Sequence, residues 1–258
     1  MELSALIHIV YVLSAITFLL GFKLMGNPES AQRGNLISGA GMAAAVLVTL
    51  MDMHVARFDY ILFGLLAGTA GGLWLVKNTD PTSPLPALAL LNGGAGLAAL
   101  LVAFAQFYAH PEGQGFAGGL AMCATAVAGT VAFAGSLTVW AGMTKRLIPD
   151  KLLVVRKWRY VYLAFSLLIL LAGLLFASDP VAPEAYRYFF IFTLLALALG
   201  VALALPDSHK NFPAAVSLFN SYSGVAACAA GFILQNPLMI VAGALVGAGG
   251  ITLRNQMR

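Results

Sequence analysis

Nine apolar stretches, most of them about 17 to 25 residues long, make up nearly the whole chain, and they decide which solvent it folds in. A run of ~20 apolar residues, rising ~1.5 Å per residue as a helix, crosses the ~30 Å hydrocarbon core of a bilayer. Only 9% of the residues are charged and 60% are hydrophobic, with a mean hydropathy of +0.90. A soluble domain carries about 25% charge. The pattern is that of an all-α, polytopic membrane protein.

The spans are expected near Leu3–Met25, Gly34–Met53, Tyr60–Val76, Leu85–Ala109, Phe116–Met143, Tyr160–Ala177, Tyr186–Leu205, Pro213–Leu234 and Leu238–Leu253. Breaker signals separate them, among them Asn27-Pro28, Asp80-Pro81, His110-Pro111, Asp179-Pro180, Pro206-Asp207 and Asn236-Pro237. Backbone polar groups in lipid must pair internally, and nothing here alternates as a barrel strand does, so helices are expected. The first span has neither a charged start nor a small-residue cleavage site and reads as a retained helix. Residues 1–258 are thus expected to form a single transmembrane domain of nine helices.

Nine spans put the two termini on opposite sides. One side collects Lys23, Arg33, Lys77, Lys145, Arg146, Lys151, Arg156, Lys157, Arg159, Lys210, Arg254 and Arg258, against Arg57 and Arg187 on the other. That asymmetry places the N-terminus outside and the C-terminus in the cytoplasm. The net charge of +4 therefore expresses topology, and no nucleic-acid partner is expected. The connector Thr144–Arg159, with six basic residues and one acid, suits anionic head groups of the lipid bilayer or a soluble partner. Cys123 and Cys228 sit mid-span without a CxxC, so neither a disulfide nor a metal site is implied.

Inside the spans, most Gly, Ala, Ser and Thr are expected at helix contacts, including Gly39, Gly41, Gly64, Gly68, Gly71 and Gly72. Gly39-Ala-Gly41-Met-Ala-Ala44 and Gly94-Ala-Gly96-Leu-Ala-Ala99 imitate a dinucleotide fingerprint. Neither follows a strand, and both lie in apolar spans where a pyrophosphate could not be solvated, so no cofactor site is read there. Larger polar groups in lipid are costly and mark bundle interiors or hydrated paths. They are Asn92, Ser136, the run from Ser217 to Ser223, and Thr252 with Arg254. Ser217, Asn220, Ser221, Gly224, Cys228 and Gly231 share one face of span eight; Gly243, Gly247, Gly250 and Arg254 repeat this on span nine. Thr125, Gly129, Ala132 and Ser136 form a third such face on span five. Two readings remain open: small-residue packing with Asn220 as interhelical glue, or a hydrated path lined by hydroxyls and amides. Carboxylates lie only at span ends, and His8, near the outer end of its span, reads as interfacial.

The run from Ala215 to Leu234, centred on Asn220-Ser-Tyr-Ser-Gly224, with Asn236-Pro-Leu-Met-Ile-Val-Ala-Gly-Ala-Leu-Val-Gly247 after it, strongly resembles the beta subunit of proton-translocating NAD(P)+ transhydrogenase. Arg33-Gly-Asn35, Gly39-Ala-Gly-Met42, Gly96-Leu-Ala-Ala99 and Phe133-Ala-Gly-Ser136 match in the same order, so the resemblance covers most of the chain. It implies reversible hydride transfer from NADH to NADP+ between soluble domains, coupled to proton passage through a membrane domain of which this chain is part. NAD(H) and NADP(H) would be bound by the soluble domains and no cofactor by this chain, which would hold no catalytic residue for hydride transfer. An NADP-binding domain is expected beyond Arg258. Alpha subunits with their own membrane helices, a dimer of the whole complex and an inner-membrane location are implied as well.

The resemblance also assigns residues. Ser136 and Asn220 fall on proton-path positions, with Ser217, Ser221 and Ser223 on the same run, and Gly250 falls on a small-residue position of the last span. Asn92 stands where the family carries a histidine tied to proton transfer; an amide orients water but stores no proton. Asn211 stands where a cytoplasmic aspartate is usual, with Asp207 and His209 close by, and Ala248 and Gly249 replace paired serines. Asp207, His209, Asn211 and Arg254 are thus expected to couple the cytoplasmic end to the nucleotide domain. A different function, a secondary transporter or channel for a small solute, lacks the internal repeat and interrupted helices such proteins use.

The charge pattern makes a direct prediction. Single cysteines introduced at positions 112 and 151 of an otherwise cysteine-free protein will react with membrane-impermeant reagents from opposite faces. Labelling from one face overturns the topology.

Overall fold

The computed structural model describes residues 2–51, 57–80, 82–109, 115–144, 158–205 and 211–256. Among these, every regular element is an α-helix: α1 Glu2–Met25, α2 Ala31–Leu50, α3 Phe58–Lys77, α4 Leu85–Ala109, α5 Gly115–Met143, α6 Trp158–Ser178, α7 Ala185–Ala204, α8 Phe212–Ile233 and α9 Pro237–Gln256. The first eight are long and apolar enough to cross a membrane, while the apolar part of α9, Pro237–Thr252, is shorter, ~24 Å at 1.5 Å per residue. The bounds lie within a few residues of the expected spans. α2 begins at Ala31, three residues before the expected Gly34, because Gln32 and Arg33 continue the helix as an exposed polar first turn.

Lipid reverses the usual sense of burial. Leu163, Leu167, Leu170 and Leu174 of α6 follow helical spacing and are 61, 67, 58 and 42% exposed, as a hydrocarbon-facing stripe should be. Burial inside the bundle then yields no hydrophobic gain over lipid. Close packing and interhelical hydrogen bonds hold the helices together instead.

The helices fall into two compact units, residues 1–78 and 79–258. In the first, α1 and α2 pair through small residues. A Cβ on Gly21 would run into Ser38 Oγ, and one on Gly41 into Thr17 Oγ1. Tyr11 Oη and Thr49 Oγ1 share a 2.7 Å hydrogen bond near one end of the pair, and Ser30 Oγ donates to the Leu24 carbonyl (2.7 Å) near the other. By contrast, Gly39, Gly64, Gly68, Gly71 and Gly72 have nothing among the described residues within 4 Å of an added Cβ; of the six glycines expected at helix contacts, Gly41 makes one within this chain.

The second unit is built around α5. Ala128 to Ala132 are all buried, and five consecutive residues go round the whole circumference of a helix with 3.6 residues per turn. The single small face expected on span five is therefore too narrow a description. Its residues Thr125, Gly129, Ala132 and Ser136 are buried, but α4, α6, α7 and α8 surround the helix. Gly96 of α4 and Gly129 of α5 allow a close crossing: a Cβ on Gly96 would lie 2.5 Å from the Gly129 carbonyl oxygen, and one on Gly129 2.6 Å from that of Gly96. The Gly94–Ala99 imitation of a nucleotide loop is thus a helix-packing device. At the end of the unit where α4 and α6 finish and α7 begins, Phe107, Phe176, Phe189 and Phe192 interlock, all no more than 2% exposed. Phe107 stacks on Phe189 at 5.0 Å and meets Phe176 edge-on at 5.1 Å.

Replacing Gly96 with Leu should force α4 from α5 and destabilise the purified protein by roughly 1–3 kcal/mol. Gly94→Leu makes the same chemical change on the same helix, where an added Cβ meets nothing within 4 Å. Thermal unfolding in detergent checks this: a lower midpoint is expected for Gly96→Leu only, and equal midpoints refute the crossing.

Candidate functional site

Asn92, Ser136, Val216 to Asn220 and Gly250 occupy one layer of the second unit. They lie roughly 6 to 12 Å from the helix ends where α4 and α8 start and α5 and α9 finish, at 1.5 Å per residue. Contacts between the helices fix this register. Asn92 Nδ2 donates to the Val216 carbonyl of α8 at 3.3 Å, Ser136 Cβ lies 3.3 Å from where a Cβ on Gly93 of α4 would be, and Ser217 Oγ donates to the Gly250 carbonyl of α9 at 2.8 Å. The polar layer and the aromatic cluster are at opposite ends of the unit.

α8 and α9 approach along nearly their full length. A Cβ on Gly224 would meet the Gly247 backbone, one on Gly243 the Cys228 backbone, and one on Gly250 Ser221 Oγ. Asn236 starts α9 by accepting from Met239 N (3.1 Å), while its own N–H returns to the Gly231 carbonyl at 2.9 Å. The reversal requires Gln235 in a left-handed conformation, φ +53°, which costs about 1–2 kcal/mol for a residue with a Cβ. The inward small faces expected on spans eight and nine therefore do meet each other.

The hydroxyls of this layer divide into two kinds. Ser221 Oγ donates to the Ser217 carbonyl (3.0 Å), Ser217 Oγ is spent on Gly250, and Ser223 Oγ donates to the Asn220 carbonyl (2.9 Å). The Ser221 and Ser223 bonds stay within α8, and the Ser217 bond joins α8 to α9. Ser136 is 1% exposed and its Oγ has no hydrogen-bond partner among the described residues. Leaving a hydroxyl unsatisfied out of water costs about 1–3 kcal/mol. Asn220, in the same layer, is half-buried. Asn92, Ser136 and Asn220 are not bonded to one another there. Hydroxyl and amide groups both donate and accept, so this layer can order water and pass a proton along it. It contains no carboxylate or imidazole among the described residues.

Asn211 caps α8, its Oδ1 accepting from Ala214 N at 3.2 Å with Pro213 in the first turn, a placement worth about 1 kcal/mol. Asp207 and His209 lie outside the described residues, as does the side chain of Arg254, whose backbone belongs to α9. Three features escaped the sequence reading. The Phe219 ring of α8 fills the place where a Cβ on Gly135 would be, locking α5 to α8 one residue before Ser136. Thr193 of α7 has a second buried hydroxyl without a partner among the described residues. Tyr222 turns away from the polar layer and lines an apolar cleft. A large aromatic aligned three residues from Tyr222 was the one available signal, and the partner glycine lies on another helix.

This arrangement of helices can be set beside known proteins. The sequence model for the NAD(P) transhydrogenase beta subunit matches residues 7–258. The NAD(P) transhydrogenase subunit beta of Rhodospirillum rubrum is 33% identical over 251 residues, covering 94% of this chain and 53% of that protein. The protein of the same name from a strain of that species matches to the same extent. The chain thus spans about half the length of the curated relatives it matches. With a match that takes in both helical units and every residue of the polar layer, the chain belongs to the NAD(P) transhydrogenase beta subunit family.

Proposed function

We propose that this chain is the membrane part through which a transhydrogenase couples proton translocation to reversible hydride transfer from NADH to NADP+. The observation that carries this reading is the buried, unpartnered Ser136 hydroxyl in the same layer as Asn92 and Asn220, within a chain of this family. Water entering the layer would satisfy Ser136, bridge to Asn220, and join Asn92, whose amide is anchored on α8. The charge asymmetry of the loops supports an outside N-terminus and a cytoplasmic C-terminus, with the polar layer nearer the cytoplasm and the aromatic cluster nearer the outside.

In this role NAD(H) and NADP(H) bind to soluble domains outside the spans, and the hydride step occurs there. Alpha subunits, the NADP-binding domain and a second complex in a dimer are the partners, in an inner membrane. Because Asn92, Ser136 and Asn220 do not titrate near neutral pH, the group that stores the proton is supplied from elsewhere: Asp207 or His209 at the cytoplasmic end, or a residue of another chain. α9 is the output. Its inner end, with Arg254, leads toward the nucleotide domain, and Ser217 ties it to the polar layer through Gly250.

Asn220→Leu and Ser136→Ala in the complete enzyme should each lower proton-coupled transhydrogenation about tenfold or more. Hydride exchange between bound nucleotides, which needs no proton passage, should change far less. Equal loss of both activities at normal protein levels would refute the path.

Arg254 separates an output role from a simple membrane anchor. Arg254→Lys keeps the charge and alters its hydrogen-bond geometry, so a coupling role predicts lost coupling in that variant. Normal coupling in Arg254→Lys, with only lower insertion in Arg254→Ala, establishes the anchor.

A further inference from the structure

A cleft of about 400 Å³ opens between α5 and α6, away from the polar layer. Its walls are Ala124 and Val127 of α5 with Ile169 and Gly173 of α6, and Leu199 of α7 and Tyr222 of α8 close its back. Leu120, Leu170 and Leu174 form a rim that is 38, 58 and 42% exposed, so the cleft opens on the hydrocarbon side of the bundle. Cys123 Sγ occupies the place where a Cβ on Gly173 would sit, so glycine at 173 lets the two helices pinch together there.

We propose that this cleft holds one acyl chain of a membrane phospholipid. The dimensions select the occupant. Along α5 the lining runs from Leu120 to Val131, ~16 Å at 1.5 Å per residue. That volume over that length corresponds to a slot roughly 8 Å across between its walls. Packed carbon atoms sit ~4 Å apart, whereas a helix with its side chains is ~10 Å wide. The slot therefore has room for a hydrocarbon chain and is narrower than a whole transmembrane helix. Apart from Ser166 and Tyr222 its lining is apolar, and its mouth faces hydrocarbon, which favours an apolar guest over water. An empty slot would forfeit dispersion contacts along both walls. Its position fits as well. Leu120 is five residues from the start of α5 and Leu174 four from the end of α6, so a chain entering from the leaflet at that end reaches the cleft within ~8 Å.

The test uses the complete enzyme in proteoliposomes containing phosphatidylcholine with a photoreactive diazirine at mid-chain, and mass spectrometry to locate the adducts. Leu194 of α7, 64% exposed, reports ordinary contact with bulk lipid. Adducts on the cleft walls should exceed those at Leu194 about threefold or more, as a held chain exceeds a passing one. Ala124→Phe fills the slot and should lower cleft adducts about tenfold without changing those at Leu194. Val127→Phe serves the same purpose where Ala124→Phe is not recovered in folded form. Cleft adducts no more frequent than at Leu194, or adducts insensitive to the filling substitutions, would each overturn the proposal.

Discussion

Close approach of helix backbones is the interaction on which everything else here rests. In a bilayer the hydrocarbon side chains gain nothing by leaving lipid for protein, so helices associate only where their surfaces fit closely enough for dispersion and interhelical hydrogen bonds to outweigh lipid contact. The chain meets that condition with glycine at the crossings: Gly96 against Gly129, Gly135 against Phe219, and Gly224, Gly243 and Gly250 along the α8–α9 seam. Each crossing brings carbonyls of one helix within reach of side chains of the next. The Ser217–Gly250 and Asn92–Val216 hydrogen bonds exist because their backbones are already close.

The same tightness determines where polar chemistry can sit. The enclosed middle of α5, Ala128 to Ala132, has no room for a charged side chain, and the polar side chains of its buried positions are short hydroxyls. Thr125 and Thr130 bond back to their own helix, at 2.7 and 2.6 Å, leaving Ser136 as the hydroxyl of α5 with no such partner among the described residues. At the opposite end the interlocked Phe107, Phe176, Phe189 and Phe192 form a dry plug, where edge and stacked ring contacts add about 0.5–1.5 kcal/mol each. One end of the unit is thus suited to holding water and the other to excluding it.

Much of this was legible in the sequence because membrane helices write their lengths directly in hydropathy. α4 falls on Leu85–Ala109, the same residues as the expected span, and the paired small faces of α8 and α9 follow from spacing alone. Periodicity on one helix says which residues share a face but not how many faces are covered. For that reason the enclosure of α5 around Ala128 to Ala132 was missed, and so were the surroundings of Gly39 and the glycines of α3, which meet none of the described residues within 4 Å. The candidate site was legible as a list, with Asn92, Ser136, Asn220 and Gly250 all singled out. The sequence did not separate the serines whose hydroxyls bond to carbonyls from Ser136, which has no such partner among the described residues, because that distinction lies in side-chain geometry that spacing does not carry.

That separation changes what the polar layer can be asked to do. Ser217, Ser221 and Ser223 stand in the same seven-residue run as Asn220, yet their hydroxyls are already donated to carbonyls. A proton relay through them would first have to break the Ser217–Gly250 bond that joins α8 to α9. In the proposed mechanism this is a means of coupling. A water chain that reached Ser217 would compete for its hydroxyl, and losing that bond would loosen α9 at the end nearest the nucleotide domain. Proton occupancy and the seating of α9 would then be two readings of one equilibrium, as coupling between distant sites requires.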